Sequence, residues 1–492
     1  MSAMTAEEFT AEVAPQPIGL RLYLEGGWQD TSRHLPLISP VTGQEIAQVP
    51  VPTREEITRA AQSARRAQAD WAEVGSFQRA EVCHRIGAAL ERRAEPLARL
   101  QSLEQGKPLT ESLADVRQAA QLFHLHAEDQ VRLGGETLPV TDAQKRMLTF
   151  RRPVGVWAII TPWNFPVLMM AEFVAPGLAG GNALVVKPPA HTCAAVLGAV
   201  AAFQEAGLAS GLVSILPGGA EVGELLVREP LFDAIGFIGS STTGTKIQAM
   251  AGLRRSIMEC SGNGPLIVCA DADLARAAHA ATYGAYFCSG QVCCATERVL
   301  VHRSVHQEFL DRCLDEASLV HLGDPFDPQV NLGPLNNQDV AAKMDRHLGD
   351  AVRQGARVLT GGGRRMGMPT DLYYEFSLVD QVTSEMAAFQ EESFGPILPI
   401  TTASDDRQLL GLANQDRLGL QAAVFTRDLG RAFHFAERLQ VGQVIVNDTT
   451  DYWDINMPFG GAGGRQSGWG RIGGKWTVMD MTDVRTAVID LS

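Results

Sequence analysis

The run "FCSGQVCCATERV", Phe287 to Val299, sets Cys293 and Cys294 side by side just after Gly290-Gln291. A thiolate is a strong nucleophile, and fixed amide donors or a helix N-terminus lower a thiol's pKa. Gly290 and Gln291 allow a tight turn that aims one thiol into a cleft, but the residue types do not say which thiol. Inert, buried cysteine is the competing reading. Histidine-assisted thiol chemistry of the papain kind lacks a partner here, because His302 and His306 follow a strand.

Three other stretches carry residues of the same interest. In "SIMECSGNGPLIV", Glu259 sits in an apolar run that ends in a Gly-rich turn. A desolvated carboxyl there has its pKa raised toward the range of a general base; a solvent-facing Glu at a strand end fits the residues equally. In "AIITPWNFPVLMM" a strand ends in a Thr-Pro turn with Trp163 and Asn164 at its carboxyl end, where open α/β sheets bind ligands. An amide at that place can donate to a developing oxyanion, or simply complete the turn. In "IGFIGSSTTGTKI" a strand feeds Gly239, and Gly244 opens a helix, an arrangement that can present N–H groups to phosphate. Its spacing is neither a P-loop, since Lys246 comes one residue late, nor G-x-G-x-x-G.

The elements that must position these residues alternate in type. "LRLYLEGGWQD" reads as a hairpin around Gly-Gly, and Arg54 to Arg132 as helices with three-to-four apolar spacing. His124 and His126 read as helix-surface histidines. From Pro153 the runs "VGVWAII", "NALVVK", "VSILPG" and "AIGFIG" alternate with helical stretches, which implies βαβ units and a parallel sheet. After Ser256 a second α/β region follows, and a cleft between two such domains suits a substrate.

Composition narrows the function classes. The 492 residues carry a net charge of −14 with 20% charged residues, so no basic stripe is available for nucleic acid. The opening residues lack a basic, then apolar, leader, and the most apolar stretch is broken by Pro and Gly, so neither a signal peptide nor a membrane span is expected. The eight cysteines show no C-x-x-C or His spacing for a metal, and a chain of this length needs no disulfide framework. A soluble cytoplasmic enzyme without metal is the expectation.

In order and spacing, "TPWNFP", "FIGSSTTG", "MECSGNGP", "FCSGQVCCA", "EESFGP" and "MPFGG" together resemble the aldehyde dehydrogenase superfamily. "LEQGKP" and "RRPVGVWAIITPWN" extend the similarity toward the N-terminal part. The resemblance implies that Cys293, two residues after the Gln, is the nucleophile, and that Cys294 is a packing or pocket residue. Cys293 would attack an aldehyde, with Asn164 and its own backbone N–H holding the oxyanion. Hydride would pass to the nicotinamide, and Glu259 would activate water to hydrolyse the resulting thioester. Cofactor contacts implied in the same way are Trp163, Lys187, Gly219, Gly223, Gly239, Ser240, Glu392 and Phe394. Met169, Glu172, Val292, Cys294, Tyr452, Trp453 and Phe459 would line the aldehyde tunnel.

The implied fold is α/β: a Rossmann-like NAD(P)-binding domain (1–130 and 152–255), an α/β catalytic domain (256–455) and a β oligomerisation arm (131–151 and 476–492). The arm implies a homodimer or homotetramer. Several positions depart from the family pattern. Ala190 stands where a ribose-binding Glu is frequent, which admits NADP beside NAD. Cys260-Ser261 replaces Leu-Gly, Ile472 replaces an acid, and "PFGGAGGRQSGWGRIGG" is two residues longer before Ser467. A CoA-acylating semialdehyde dehydrogenase, an inactive structural homologue and a cysteine hydrolase are the alternatives; Glu259 favours hydrolysis to a free acid. Trp453 stands where relatives acting on lactaldehyde-like substrates carry Arg, so neutral aldehydes are the expected substrates.

Overall fold

The computed structural model describes residues 18–492; the opening segment read above for a leader lies outside them. The hairpin forms, Leu22–Leu24 against Gly27–Gln29. It sits at one end of an eight-stranded sheet whose other members run, in spatial order, Val213–Ile215, Ala183–Lys187, Val156–Ile160, Ala234–Gly239, Arg255–Cys260 and Gly468–Trp469. The five central strands are parallel. Two of them, Val156–Ile160 and Ala183–Lys187, are buried throughout, as expected when helices cover both faces of a sheet. Taken in chain order the five lie 3-2-1-4-5, the doubly wound arrangement. Its switch point falls between Val156–Ile160 and Ala234–Gly239, and the loops leaving those strands carry Asn164 and Ser240.

A second, seven-stranded sheet runs Arg357–Thr360, Ser377–Asp380, Ile397–Ala403, Thr296–His302, Gly264–Val268, Gln421–Phe425 and Gln443–Val446, parallel except for its first pair. The change of sheet comes later than the boundary expected after residue 255. Arg255–Cys260 pairs in register with Ala234–Gly239 along its whole length, so the crossing is made by the turn Ser261–Asn263. The segment after Pro458 returns to the first sheet, where Met258 and Glu259 pair with Trp469 and Gly468.

Lys145–Pro153 pairs antiparallel with Thr482–Asp490 over nine residues, and Thr137–Leu138 adds a third strand. Within 476–492 the pairing strand begins at Thr482. The intervening Gly474–Asp480 is a helix that buries Thr477 and Val478 against the helices Leu109–Arg132 and Pro166–Ala179. His126 is a second correction, since its ring is fully buried. The helix Leu109–Arg132 packs between neighbours, so its polar residues do not all reach solvent. No helix among the described residues is long and apolar enough to cross a membrane.

Candidate active site

Glu259 owes its direction to strand alternation. Met258 and Cys260 pack with Phe237 and Ile247 on one face of the sheet, and Ile257 joins the core on the other. Glu259 shares the Ile257 face and is only 2% exposed there. Burial pushes its carboxyl up to about 8, opposed by hydrogen bonding to Cys293 and reinforced by the charge of Glu392. Its Oε1 has no hydrogen-bond partner.

The cysteine pair is delivered by a backbone that few sequences tolerate. The helix Leu274–Tyr286 ends, and Cys288 and Ser289 take left-handed conformations (φ 50° and 57°), followed by Gly290 at 71°. A side chain at Gly290 would come within 2.3 Å of the Gly395 carbonyl, so the position requires glycine. Gln291 then ties the loop down. Its Nε2 donates to the Cys288 carbonyl (3.0 Å), its Oε1 accepts from the Asn336 N–H (2.9 Å), and its carbonyl accepts from Asn164 Nδ2 (2.8 Å). The two thiols stay neighbours after this turn but differ in exposure. Cys294 is buried with Sγ 3.7 Å from Asp451 Oδ1, whereas Cys293 keeps more exposure to the cavity. The Cys294 thiol, burial and Glu259 together push the Cys293 thiol well above its usual range.

Gly262 closes the gap between strand and loop. A Cβ there would lie 2.0 Å from the Cys293 carbonyl oxygen. Its N–H donates to Glu392 Oε1 at 3.0 Å, which links the Glu259 strand to the "EESFGP" loop. Gly262→Ala is expected to displace Cys293 and cut kcat by about 100-fold while the chain still folds, since small misplacements at a reacting group cost that much. Steady-state kinetics beside a thermal melt checks this; unchanged kcat would refute the contact.

One cavity of about 780 Å³ gathers most of the residues singled out in the sequence. Cys293, Glu259, Asn164, Trp163, Gly239, Ser240, Glu392, Phe394, Met169, Val292, Cys294, Trp453 and Phe459 all line it. Five expected residues do not. Lys187 lies beneath, its Nζ donating to the Gly218 carbonyl at 2.7 Å; burial lowers it to about 8. Gly219 caps the helix Ala220–Arg228, and Gly223 lies in that helix with no Cβ to fill the space toward Ile160 and Lys187. Glu172 is wholly buried in the helix Pro166–Ala179, behind the wall. Tyr452 is outside the lining and 46% exposed.

The lining also includes residues that the sequence reading missed: Gln118, His191, Tyr283, Lys343, Asp339 and Asp451. Tyr283 and Phe287, four apart at the end of one helix, were the detectable pair. The remote Gln118 gave no signal.

The donor set on one side fits a dinucleotide. The helix Ser241–Ala251 is capped by Ser240, whose side chain accepts from the Thr243 N–H, and its N-terminus opens beside Gly239. Trp163 and Phe394 meet edge to face at 5.4 Å. Glu392, raised by burial to about 6 and opposed by Lys343, offers a carboxylate for ribose hydroxyls. The Ser261 departure acts here, because its Oγ accepts from the Ser241 N–H at 3.4 Å. Ile472 lines the cavity as an apolar residue and bridges to Phe459.

Comparison with known proteins agrees with this geometry. A family model described as "Aldehyde dehydrogenase family" matches residues 28–487. A 3-sulfolactaldehyde dehydrogenase of Pseudomonas putida is 33% identical over 477 residues, covering 96% of this chain and 97% of its own. A betaine aldehyde dehydrogenase of Bacillus subtilis is 34% identical, covering 94% and 96%. Among solved structures, an NADP-dependent enzyme of E. coli superimposes with a TM-score of 0.94 at 31% identity, covering 96% and 98%. A Staphylococcus aureus betaine aldehyde dehydrogenase in complex with NAD+ gives 0.93 at 30%, covering 96% and 95%.

Proposed function

The chain belongs to the aldehyde dehydrogenase family and oxidises an aldehyde to the carboxylic acid with NAD(P), and from that premise we propose that Cys293 is its nucleophile, Glu259 its general base and Asn164 an oxyanion donor. The observation that carries the assignment is the single cavity wall shared by all three, with Glu259 and Cys293 close enough to shift each other's titration. The Cys293 sulfur, once deprotonated, adds to the aldehyde carbon to give a thiohemiacetal. The charge that develops on oxygen faces the Cys293 N–H and the Asn164 amide, whose second hydrogen is not used by the bond to Gln291. Bound NAD(P) supplies the two-electron acceptor for the aldehyde hydrogen. On the thioester left behind, Glu259 takes a proton from water as that water attacks, and the Cys293 thiol is regenerated. Overall, aldehyde, NAD(P)+ and water give carboxylate, NAD(P)H and two protons.

The described residues 18–130 and 152–255, with the strand that runs on to Cys260, are proposed to hold the cofactor and the second sheet to carry Cys293. The arm strand Thr482–Asp490 leaves Val484, Val488 and Ile489 exposed on an unpaired edge, which supports a homodimer or homotetramer. The test of the function is NAD(P)H absorbance on mixing the protein with cofactor and an aldehyde, with assay of the free acid. Appearance of NAD(P)H without added CoA supports hydrolysis. An absolute requirement for CoA would replace this reading with the acylating one.

Ala190 bears on the choice of cofactor. It begins the short helical turn Ala190–Thr192, only partly buried, close to Lys187 and His191. With no carboxylate there, neither hydroxyl of the adenosine ribose gains a charged acceptor and a 2′-phosphate meets no repulsion. Dual use of NAD and NADP is the expectation. Ala190→Glu should raise the NAD over NADP ratio of kcat/KM about ten- to a hundred-fold, the worth of one charged hydrogen-bonding partner. Strict NAD selectivity in the unaltered protein would place ribose recognition elsewhere.

A further inference from the structure

We propose that Glu297 is a positioning residue for hydride transfer: its buried carboxyl fixes the turn 392–394, and with it the nicotinamide ribose, relative to Cys293. This rests on the dehydrogenase reading above. Glu297 follows Cys293 closely in the chain, near the start of the strand Thr296–His302. Pairing with Gly264–Val268 slips there, since Gly264 faces Thr296 and Pro265 faces Arg298, which leaves Glu297 as the extra residue. A bulge of this kind re-aims a side chain. The buried Glu297 accepts the Ser393 N–H on Oε2 and the Phe394 N–H on Oε1, both at 2.8 Å. Burial and the charge of Glu392 push its carboxyl upward, opposed by those two N–H groups and by Lys343. Glu297 does not line the cavity, so it acts on the chemistry through the turn it holds.

That turn needs a support. Phe394 is left-handed (φ 56°), a conformation that a large side chain keeps only where its surroundings impose it. Consecutive N–H groups at such a turn converge on one anion, and Glu297 supplies it. In consequence Glu392 and Phe394 both line the cavity, while Ser393 between them is buried with Oγ 2.9 Å from His347 Nδ1. The Gly262 N–H holds Glu392 only at its tip; Glu297 holds the backbone beside it. The nucleophile loop and the cofactor loop thus hang on one strand end. They also abut, because the Gly395 carbonyl lies against Gly290. Neither near-isostere of Glu297 can do the same. Glutamine accepts one N–H and turns its own NH₂ toward the other, whereas aspartate keeps the charge but is a methylene too short to span both.

The test is Glu297→Gln in the full chain, with Glu297→Asp beside it. In both, kcat is expected to fall about ten- to a hundred-fold, and NAD+ to bind about ten-fold more weakly by fluorescence quenching. AMP, which carries only the adenosine end of the cofactor, should bind as before. Iodoacetamide should alkylate Cys293 at the unaltered rate when no cofactor is present. A C1-deuterated aldehyde should slow the variants more than the unaltered protein, because hydride transfer becomes the limiting step. A general loss of packing would weaken AMP and slow alkylation in proportion to oxidation. That outcome overturns the proposal, as does a variant with unchanged kcat and NAD+ affinity, while the dehydrogenase reading stands. Where neither variant folds, hydrogen exchange in the unaltered protein decides. The Ser393 and Phe394 amides should be protected without cofactor, and their exchange within seconds would refute the clamp. Failure of the unaltered protein to form NAD(P)H with any aldehyde removes the dehydrogenase reading as well.

Discussion

Cys293→Ala is expected to abolish aldehyde oxidation, a fall on the order of 10⁴-fold or more in kcat/KM, while Cys294→Thr retains most of it. The two side chains differ by one position and by everything around them. Cys293 keeps access to the cavity, whereas Cys294 turns back to Asp451, where a threonine hydroxyl could replace its thiol as a donor at similar volume. The loop itself is held by main-chain and Gln291 contacts that neither substitution touches. Cofactor binding, followed by quenching of protein fluorescence, should survive in both variants, which separates loss of the nucleophile from loss of fold. Activity surviving in Cys293→Ala and lost in Cys294→Thr would reverse the assignment.

That difference could not be taken from the residue types alone. Two adjacent cysteines after Gly-Gln are chemically equivalent in a string of letters; both line the cavity, and only the fold leaves Cys293 the more exposed of the two and sets Cys294 against Asp451. Glu259 was more accessible to reasoning, because apolar Met258 and Cys260 on either side force its side chain to the opposite face of the strand. The strands themselves were readable from apolar runs bounded by Gly and Pro. The sheet to which Arg255–Cys260 belongs was not, since pairing is a long-range choice that no local pattern encodes. Asp451 sits among Asp448 and Asp454 in "NDTTDYWD", a run with the look of a wetted loop. Only packing against the helix at Gly284 buries its carboxyl. Tyr452 and Trp453 lie in the same irregular segment, where no period of two or 3.6 tells which ring turns inward.

Glu259→Gln is expected to separate acylation from deacylation. Glutamine keeps the shape of the side chain but cannot accept a proton from water, and a general base of this kind contributes about 10²- to 10⁴-fold. Acylation of Cys293 should still release up to one equivalent of NAD(P)H per site in a rapid burst, with steady turnover lowered by that factor. The pH profile supplies an independent check. The carboxyl is held up to about 8, chiefly by burial. Below that pH it carries its proton and cannot act as a base; above it the carboxylate forms. Where deacylation limits kcat, kcat should rise with pH and level off above about 8, and the limb should vanish in Glu259→Gln. The kcat/KM profile reports the free enzyme instead and retains whatever rise the Cys293 thiol imposes, since that thiol is itself pushed upward. A Glu259→Gln protein with normal steady turnover, or one that keeps the limb in kcat, would assign water activation to another group. The buried Glu172 carboxyl, likewise raised to about 8 by burial, opposed by the Gly473 backbone N–H and reinforced by the charge of Glu259, would then be the next to substitute.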